Sequence, residues 1–211
     1  PTLWRLALRG LEGAVDLPHL RYVFFSGEPG SPDLIDALIT AFPRAAVREA
    51  WLSSEGGCGA GIVADHDLLV RRGKATAAGL PVPGAALRIM RTDSTEPVDP
   101  GETGEIAVSA PSVASRYWGD EALSAARFVD GWWSTGDVGF VDANGHVFVT
   151  GRTDNVINTG GVKVHAEEIE AALLAHPGVQ LVAVIGVPDP TWGTAIEAHV
   201  VPTHGGVSEE A

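Results

Sequence analysis

Asp137 and Arg152 are the residues whose chemistry most constrains this sequence. They stand fifteen positions apart, in Gly131-Trp132-Trp133-Ser134-Thr135-Gly136-Asp137 and Gly151-Arg152-Thr153-Asp154. A carboxylate accepts hydrogen bonds from both hydroxyls of a vicinal diol, and a guanidinium donates to the same hydroxyls. The pair suits the ribose of a nucleotide, with the two groups at the ends of a turn between strands. Read singly, each is as well explained by a turn aspartate and a surface arginine. The two motifs together, in this order and spacing, favour the site. A flexible Gly160-Gly161 loop follows, then Val162-Lys163-Val164 and a capped helix opening Ala166-Glu167-Glu168-Ile169-Glu170.

A second constellation lies upstream, in Glu49-Ala50-Trp51-Leu52-Ser53-Ser54-Glu55-Gly56-Gly57. An aromatic face stacks on a purine, and a hydroxyl next to a carboxylate serves phosphate and Mg2+. The plainer alternative is a core tryptophan beside a polar turn. The glycines from Gly56 to Gly61 do not form a dinucleotide loop, because the strand, helix and later acidic residue of that fingerprint do not line up. His165-Ala166-Glu167 opens like a zinc deaminase signature but lacks the cysteine pair that must follow.

The elements that must position these groups fall into three textures. Tyr22-Val23-Phe24-Phe25 predicts a buried strand ending in the loop Ser26-Gly27-Glu28-Pro29-Gly30. Ser31 caps a helix with Pro32 at its first position, and Leu34, Ile35, Leu38, Ile39 and Phe42 share one face before Pro43 stops it. From residue 71 to 153, short strands are expected at Arg88–Met90, Glu105–Ser109, Val138–Val141 and His146–Val149. Asp142-Ala143-Asn144-Gly145 is the hairpin signal between the last two. This stretch reads as a small antiparallel, barrel-like unit. After Asp154 a loop leads to a helix from about Ala166 to His176. A dense buried strand, Leu181–Val187, and another, Ile196–Val201, come next, and the polar tail from Gly205 is expected to be loose. The organisation expected is an α/β layer over 1–70, a barrel-like part over 71–153, and a second domain over 154–211.

Composition narrows the partners. The chain has 211 residues, 45% of them hydrophobic, which is enough for a real core. Fourteen basic against 27 acidic residues give a net charge of −13. Such a surface repels phosphate backbones and anionic lipid, so no nucleic-acid partner is expected. Cys58 is the one cysteine, so no internal disulfide forms. No apolar run reaches the ~18 residues of a membrane span, and no signal-peptide pattern opens the chain. The expected location is cytoplasmic.

These residues together resemble the adenylate-forming superfamily: acyl-CoA and aryl-CoA synthetases, luciferases and the adenylation domains of peptide synthetases. Ser26-Gly27-Glu28-Pro29 resembles the family's Gly-Gly-Ala-Pro turn, and Glu49 to Glu55 its Tyr-Gly-x-Thr-Glu motif. Tyr117-Trp118 resembles the Gly-Tyr-Trp step. Trp133 to Asp137 and Gly151 to Glu170 resemble the nucleotide and hinge motifs. The resemblance implies the later part of a large AMP-binding domain (α/β with β-barrel) and the start of a small mobile α+β domain. It implies an ATP-dependent acid–thiol ligase of fatty acid and related acyl metabolism. That enzyme forms an acyl-adenylate and pyrophosphate from a small-molecule carboxylic acid and ATP, then passes the acyl group to CoA.

By the same resemblance Gly27, Glu28, Pro29, Glu49 and Ala50 form the walls of the adenine and acyl pocket, Trp51 lies against adenine, and Leu52 and Ser53 belong with them to the ATP/AMP-binding set. Ser54 reaches the phosphates, Glu55 holds Mg2+, and these two are the catalytic residues. Asp137 and Arg152 bind ribose, Asp154 is the hinge, and Gly160, Gly161 and Lys163 border the pantetheine arm of CoA. Trp51 and Leu52 depart from the usual Tyr-Gly and add bulk, which leaves the acyl substrate open. The family's phosphate loop and its C-terminal lysine have no counterpart here, since Lys74 and Lys163 are the only lysines and neither has the matching context. The chain therefore reads as a middle-to-late segment, and by itself it is expected to lack ligase activity. An adenylation domain that loads a carrier protein is the alternative reading, and a stand-alone, non-catalytic binding or interaction domain is the third. A homo-oligomer also stays open.

Overall fold

The computed structural model describes residues 1–11, 13–66, 69, 77–91, 94 and 96–203. Lys74 and the tail from Gly205 lie outside the described residues. The chain divides into two compact units, Pro1–Thr135 with Gly139–Val149, and Gly136–Val138 with the chain from Thr150 onward.

The first unit opens with helix α1 (Thr2–Leu8), strand β1 (Tyr22–Ser26), helix α2 (Pro32–Ala41) and strand β2 (Ala46–Trp51). β1 and β2 are parallel, in the register Val23↔Val47 and Phe25↔Glu49. The Leu34 N–H donates to Ser31 Oγ at 3.3 Å, Pro32 supplies a preset φ, and Asp33 faces the positive helix end. Leu34, Ile35, Leu38 and Ala41 are buried against Val23, Phe25 and Val47, with Phe42 closing the cluster. Trp4 of α1 meets Phe42 edge-on at 5.7 Å, and its indole N–H donates to the Phe24 carbonyl.

Strands β3 (Ile62–Asp65) and β4 (Leu80–Pro81) extend this sheet antiparallel, giving the order β1-β2-β3-β4. The sequence reading found no strand at Ala46–Trp51 or Ile62–Asp65, because Arg48, Glu49 and Asp65 break the apolar runs. The structure pairs them: Arg48 and Asp65 are cross-strand neighbours joined at 2.8 Å. A charged strand residue with its partner directly opposite is compatible with a half-buried sheet.

The second sheet is a curled, half-barrel arrangement. It comprises β5 (Ala86–Met90), β6 (Gly104–Ser109), β7 (Phe128–Val129), β8 (Trp132–Val141) and β9 (Val147–Arg152), in the order β5-β6-β8-β7 with β9 also on β8. Helix α3 (Glu121–Arg127) precedes β7, its first turn capped by Asp120. Ile62, Ile89, Ile106, Val108, Trp133 and Val147 form its core. The strand expected at Val138–Val141 begins earlier, at Trp132. β8 runs unbroken for ten residues through Gly136 and Gly139. Gly139 is no breaker, because a Cβ there would stand 2.1 Å from the Phe148 carbonyl oxygen, and its absence lets the strands close. The turn comes at Asp142–Gly145, where Asp142 Oδ1 accepts the N–H of Asn144 and His146.

In the second unit the expected loop after Asp154 is a hairpin, β10 (Val156–Thr159) and β11 (Val162–His165). Gly160 and Gly161 take φ of 57° and 86°, the left-handed pair that a tight two-residue hairpin turn needs. Helix α4 (Ala166–Leu174) follows without the expected side-chain cap, since His165 at its N-cap makes no such bond, and then comes the antiparallel pair β12 (Val179–Asp189) and β13 (Gly193–Pro202). Glu170 Oε1 accepts the Val184 N–H at 2.8 Å and ties α4 to β12. β12 is not the dense buried strand expected: within it only Val184 is buried, while Leu181 and Ile185 are exposed. A two-stranded ribbon with one helix against it covers alternate residues only.

Ile106 is fully enclosed in the half-barrel core. Ile106→Ala should destabilise the full-length protein by about 2–5 kcal/mol, read as a lower urea midpoint with an unchanged slope.

Candidate active site

The first group of candidate residues lies in the first unit, beyond the carboxyl ends of parallel strands β1 and β2, where open α/β sheets hold ligands. Gly27 takes φ of 93° with open space beside it, so the backbone turns sharply and nothing crowds its face. Glu28 is exposed, and its carboxylate accepts the Thr2 hydroxyl at 2.8 Å and the Thr2 N–H at 3.0 Å. The Thr2 hydroxyl holds the Glu28 carboxyl below its ordinary value, with the Thr2 N–H and Arg5 adding to the effect against partial burial.

Glu49 is held by two partners. Its Oε1 accepts the Gly30 N–H at 3.3 Å, and its Oε2 meets Nε2 of His66 at 2.8 Å. His66 is buried and lies parallel to the Phe25 ring, 5.9 Å away. Glu49 thus anchors the Gly27–Gly30 loop to the sheet. Ala50 is buried in β2 opposite Val63, and Trp51, half-buried, packs on the half-barrel core. The added bulk of Leu52 has a matching vacancy, because a Cβ on Gly61 would stand 2.6 Å from Leu52 Cδ2.

The turn after β2 separates three roles. Ser53 shapes it, its Oγ accepting the Gly56 N–H at 3.0 Å and its carbonyl the Gly57 N–H. Ser54 is exposed at the tip. Glu55 is half-buried, and the Tyr117 hydroxyl donates to its Oε1 at 2.9 Å. Burial pushes the Tyr117 phenol up, the neighbouring Trp133 indole opposes that, and Glu55 adds to it. Among the described residues no cluster of three His, Cys, Asp or Glu could hold a metal unaided. The donor set still fits Mg2+, which keeps several waters and is bound through one or two carboxylates plus substrate phosphates.

The second group lies in the second unit. Asp137, 8% exposed in β8, receives Nη1 of Arg152 at 3.0 Å. Nη2 of the same guanidinium lies 3.7 Å from Asp154 Oδ2. Thr150 and Thr153 donate their hydroxyls to the carbonyls of Val138 and Gly136. Arg152 is half-exposed and a guanidinium carries five donors, so this pair can hold a diol. Asp154 is exposed in a 3-10 turn, Thr153–Asn155, immediately before β10.

Gly160 is held on both sides. Its N–H donates to the Trp192 carbonyl at 3.0 Å, and a Cβ would meet the Trp192 ring at 2.7 Å. Gly161 faces open space, and Lys163 is exposed opposite Asn158. An open glycine beside an exposed ammonium suits an extended arm that carries phosphate. Sequence reasoning missed Tyr117 as a partner of Glu55 and Trp192 as a neighbour of Gly160. Tyr117 was visible only as a landmark in Tyr117-Trp118.

Residues 1–118 match the family model described as AMP-binding enzyme. The chain belongs to the AMP-binding enzyme family. Residues 168–211 match the AMP-binding enzyme C-terminal domain. Feruloyl-CoA synthase from Amycolatopsis sp is 36% identical over 210 residues, which is 97% of this chain and 41% of that protein. The fatty acid–[acyl-carrier-protein] ligase ScoC of Streptomyces coeruleorubidus is 34% identical, over 92% of this chain and 37% of its own. Among solved structures, o-succinylbenzoate CoA synthetase from Bacillus subtilis, in complex with its acyl-adenylate intermediate, superposes with a TM-score of 0.83 at 27% identity. That superposition covers 96% of this chain and 40% of the other. The chain of this AMP-binding family member thus spans about two fifths of the length of the relatives it matches.

Two outcomes test these geometries. Gly160→Ala must place a side chain at positive φ and against Trp192, so it should destabilise the β10–β11 hairpin by about 1–2 kcal/mol or more. Hydrogen exchange at Val156–His165 should accelerate. For Glu28, a lowered folded pKa means that its contribution to stability is present above the unfolded value of ~4.3 and is lost as pH falls through the folded pKa. Thr2→Val should move the Glu28 titration, followed by NMR, back up towards the ordinary value.

Proposed function

We propose that the protein carrying this chain is an ATP- and Mg2+-dependent acyl-CoA synthetase, with residues 1–153 in its large AMP-binding domain and residues from Asp154 in its small mobile domain. The observation that carries this reading is the Asp137–Arg152 pair at 3.0 Å, in a chain whose similarity to a CoA ligase runs over 97% of its length. In the first half-reaction a carboxylate oxygen of the acid bonds to the α-phosphorus of ATP and pyrophosphate departs. In the second, a thiolate attacks the acyl carbon and AMP departs.

The residues divide this work. Asp137 accepts the ribose hydroxyls and Arg152 donates to them, which fixes the nucleotide at its sugar. Trp51 offers its face to the adenine, and Gly27, Pro29 and Ala50 bound the space around it, with Glu28 at the rim. Glu49, through Gly30, keeps that loop in place. Ser54 donates to phosphate, and Glu55 supplies the carboxylate for Mg2+, which when bound offsets the phosphate charge that develops as pyrophosphate leaves. Asp154 is the hinge residue, and Gly160, Gly161 and Lys163 flank the pantetheine arm. One exposed cysteine without a disulfide and an acidic composition accord with the cytoplasm.

The second reading changes only the acceptor, with the thiol belonging to a carrier protein. The similarity to an acyl-carrier-protein ligase favours it. Acid-dependent ATP–pyrophosphate exchange by the full-length protein, followed by capture of the acyl group on CoA or on a carrier protein, separates the two. Exchange is expected with at least one acid from an aryl and fatty acid panel, and complete absence across the panel would count against both readings. Glu55→Gln should lower kcat/KM for exchange on the order of 100-fold, the scale of losing one electrostatic stabiliser at a reacting phosphate.

A further inference from the structure

We infer that Tyr117 is a positioning residue for the divalent cation: its hydroxyl fixes the Glu55 carboxylate and leaves the remaining lone pairs of that group to the metal. The inference rests on the proposed role of Glu55 and adds a residue to it.

The contact is long in sequence and short in space, 62 residues and 2.9 Å. It belongs to a strap that grips the turn at several points. The Ala114 N–H donates to the Glu55 carbonyl at 2.7 Å, and Ser112 Oγ donates to the Gly56 carbonyl at 2.7 Å. The strap comes so near that a Cβ on Gly59 would stand 2.5 Å from Ser112 Oγ. Tyr117 is itself held at both ends. Its N–H donates to Ser124 Oγ at 2.8 Å, and its ring meets Phe128 edge-on at 5.2 Å. Phe128 in turn lies over Trp133, which is 2% exposed.

The chemistry of Glu55 gives this contact its direction. Among the described residues Glu55 has no Arg, Lys or His in ion-pair range, yet it is half-buried. A partly desolvated carboxylate with one neutral donor and no countercharge is a favourable ligand for a hard cation. A phenol hydroxyl suits the positioning role, because it restrains a side chain with three rotatable bonds and brings no positive charge to compete with the metal.

The test uses the full-length protein. Tyr117→Phe keeps the ring against Phe128 and removes only the hydroxyl. Mn2+ binding in the presence of a non-hydrolysable ATP analogue, read by electron paramagnetic resonance, should weaken about tenfold, the scale of one hydrogen bond to a charged group. The Mg2+ concentration for half-maximal ATP–pyrophosphate exchange should rise by the same factor, while acyl transfer from preformed acyl-adenylate and the melting temperature stay unchanged. In a Glu55→Gln background Tyr117→Phe should add nothing. Unchanged Mn2+ affinity, or equal losses in both half-reactions with a lower melting temperature, would overturn the inference in favour of a structural tie. If the unaltered protein catalyses no exchange but the Mn2+ difference persists, the synthetase reading fails and the positioning role stands.

Discussion

A carboxylate withdrawn from water inside a strand has to be answered by a donor, and Asp137 sets that demand for its part of the chain. An uncompensated charge in such a place costs several kcal/mol, far more than an exposed ion pair returns. Arg152 answers it at 3.0 Å, which requires β9 to come back along β8 with its last residue level with Asp137. The Asp142 turn, whose side chain closes two backbone N–H groups, sets that return. Gly139 permits it, since the Phe148 carbonyl occupies the space of its missing side chain. The spacing of fifteen residues is thus the length of two strand segments and one turn.

A comparable logic governs the polar residues of the first sheet. Glu49 and Arg48 lie side by side in β2 and point to different partners, His66 and Asp65, near the far end of β3. Each pairing makes a charged position tolerable in a sheet that is otherwise apolar. Glu49 also reaches Gly30, just ahead of the cap of α2, so the loop that follows β1 is tied to its neighbouring strand. That tie comes from a side chain nineteen residues away.

These pairings mark where the sequence could and could not be read. The start of α2 was legible to the residue, because Ser31, Pro32 and the spacing of Leu34, Ile35 and Leu38 all state the same thing, and its end fell one residue short of the expected Phe42. β5, β6 and the Asp142–Gly145 turn were legible for similar reasons. β2 and β3 were not, since periodicity sees Arg48, Glu49 and Asp65 as interruptions and cannot see the partners that neutralise them. The β10–β11 hairpin was hidden by Gly160-Gly161, which read as freedom when the two glycines instead supply a fixed left-handed turn. β12 was seen as a strand, but its burial was overestimated, because hydrophobicity does not say how many faces will be covered. In the candidate site, local motifs marked Glu55, Asp137 and Arg152. The Tyr117–Glu55 contact joins residues 62 apart, and no local pattern announces it.

The contact between Gly160 and Trp192 has an optical consequence. Of the chain's six tryptophans, Trp133 is buried and Trp118 is 96% exposed, so each sits near one extreme of solvent contact. Trp192 is 60% exposed with one edge against a glycine backbone, an intermediate setting that a small displacement would alter. Its emission therefore reports on the Gly160-Gly161 turn from within the natural sequence.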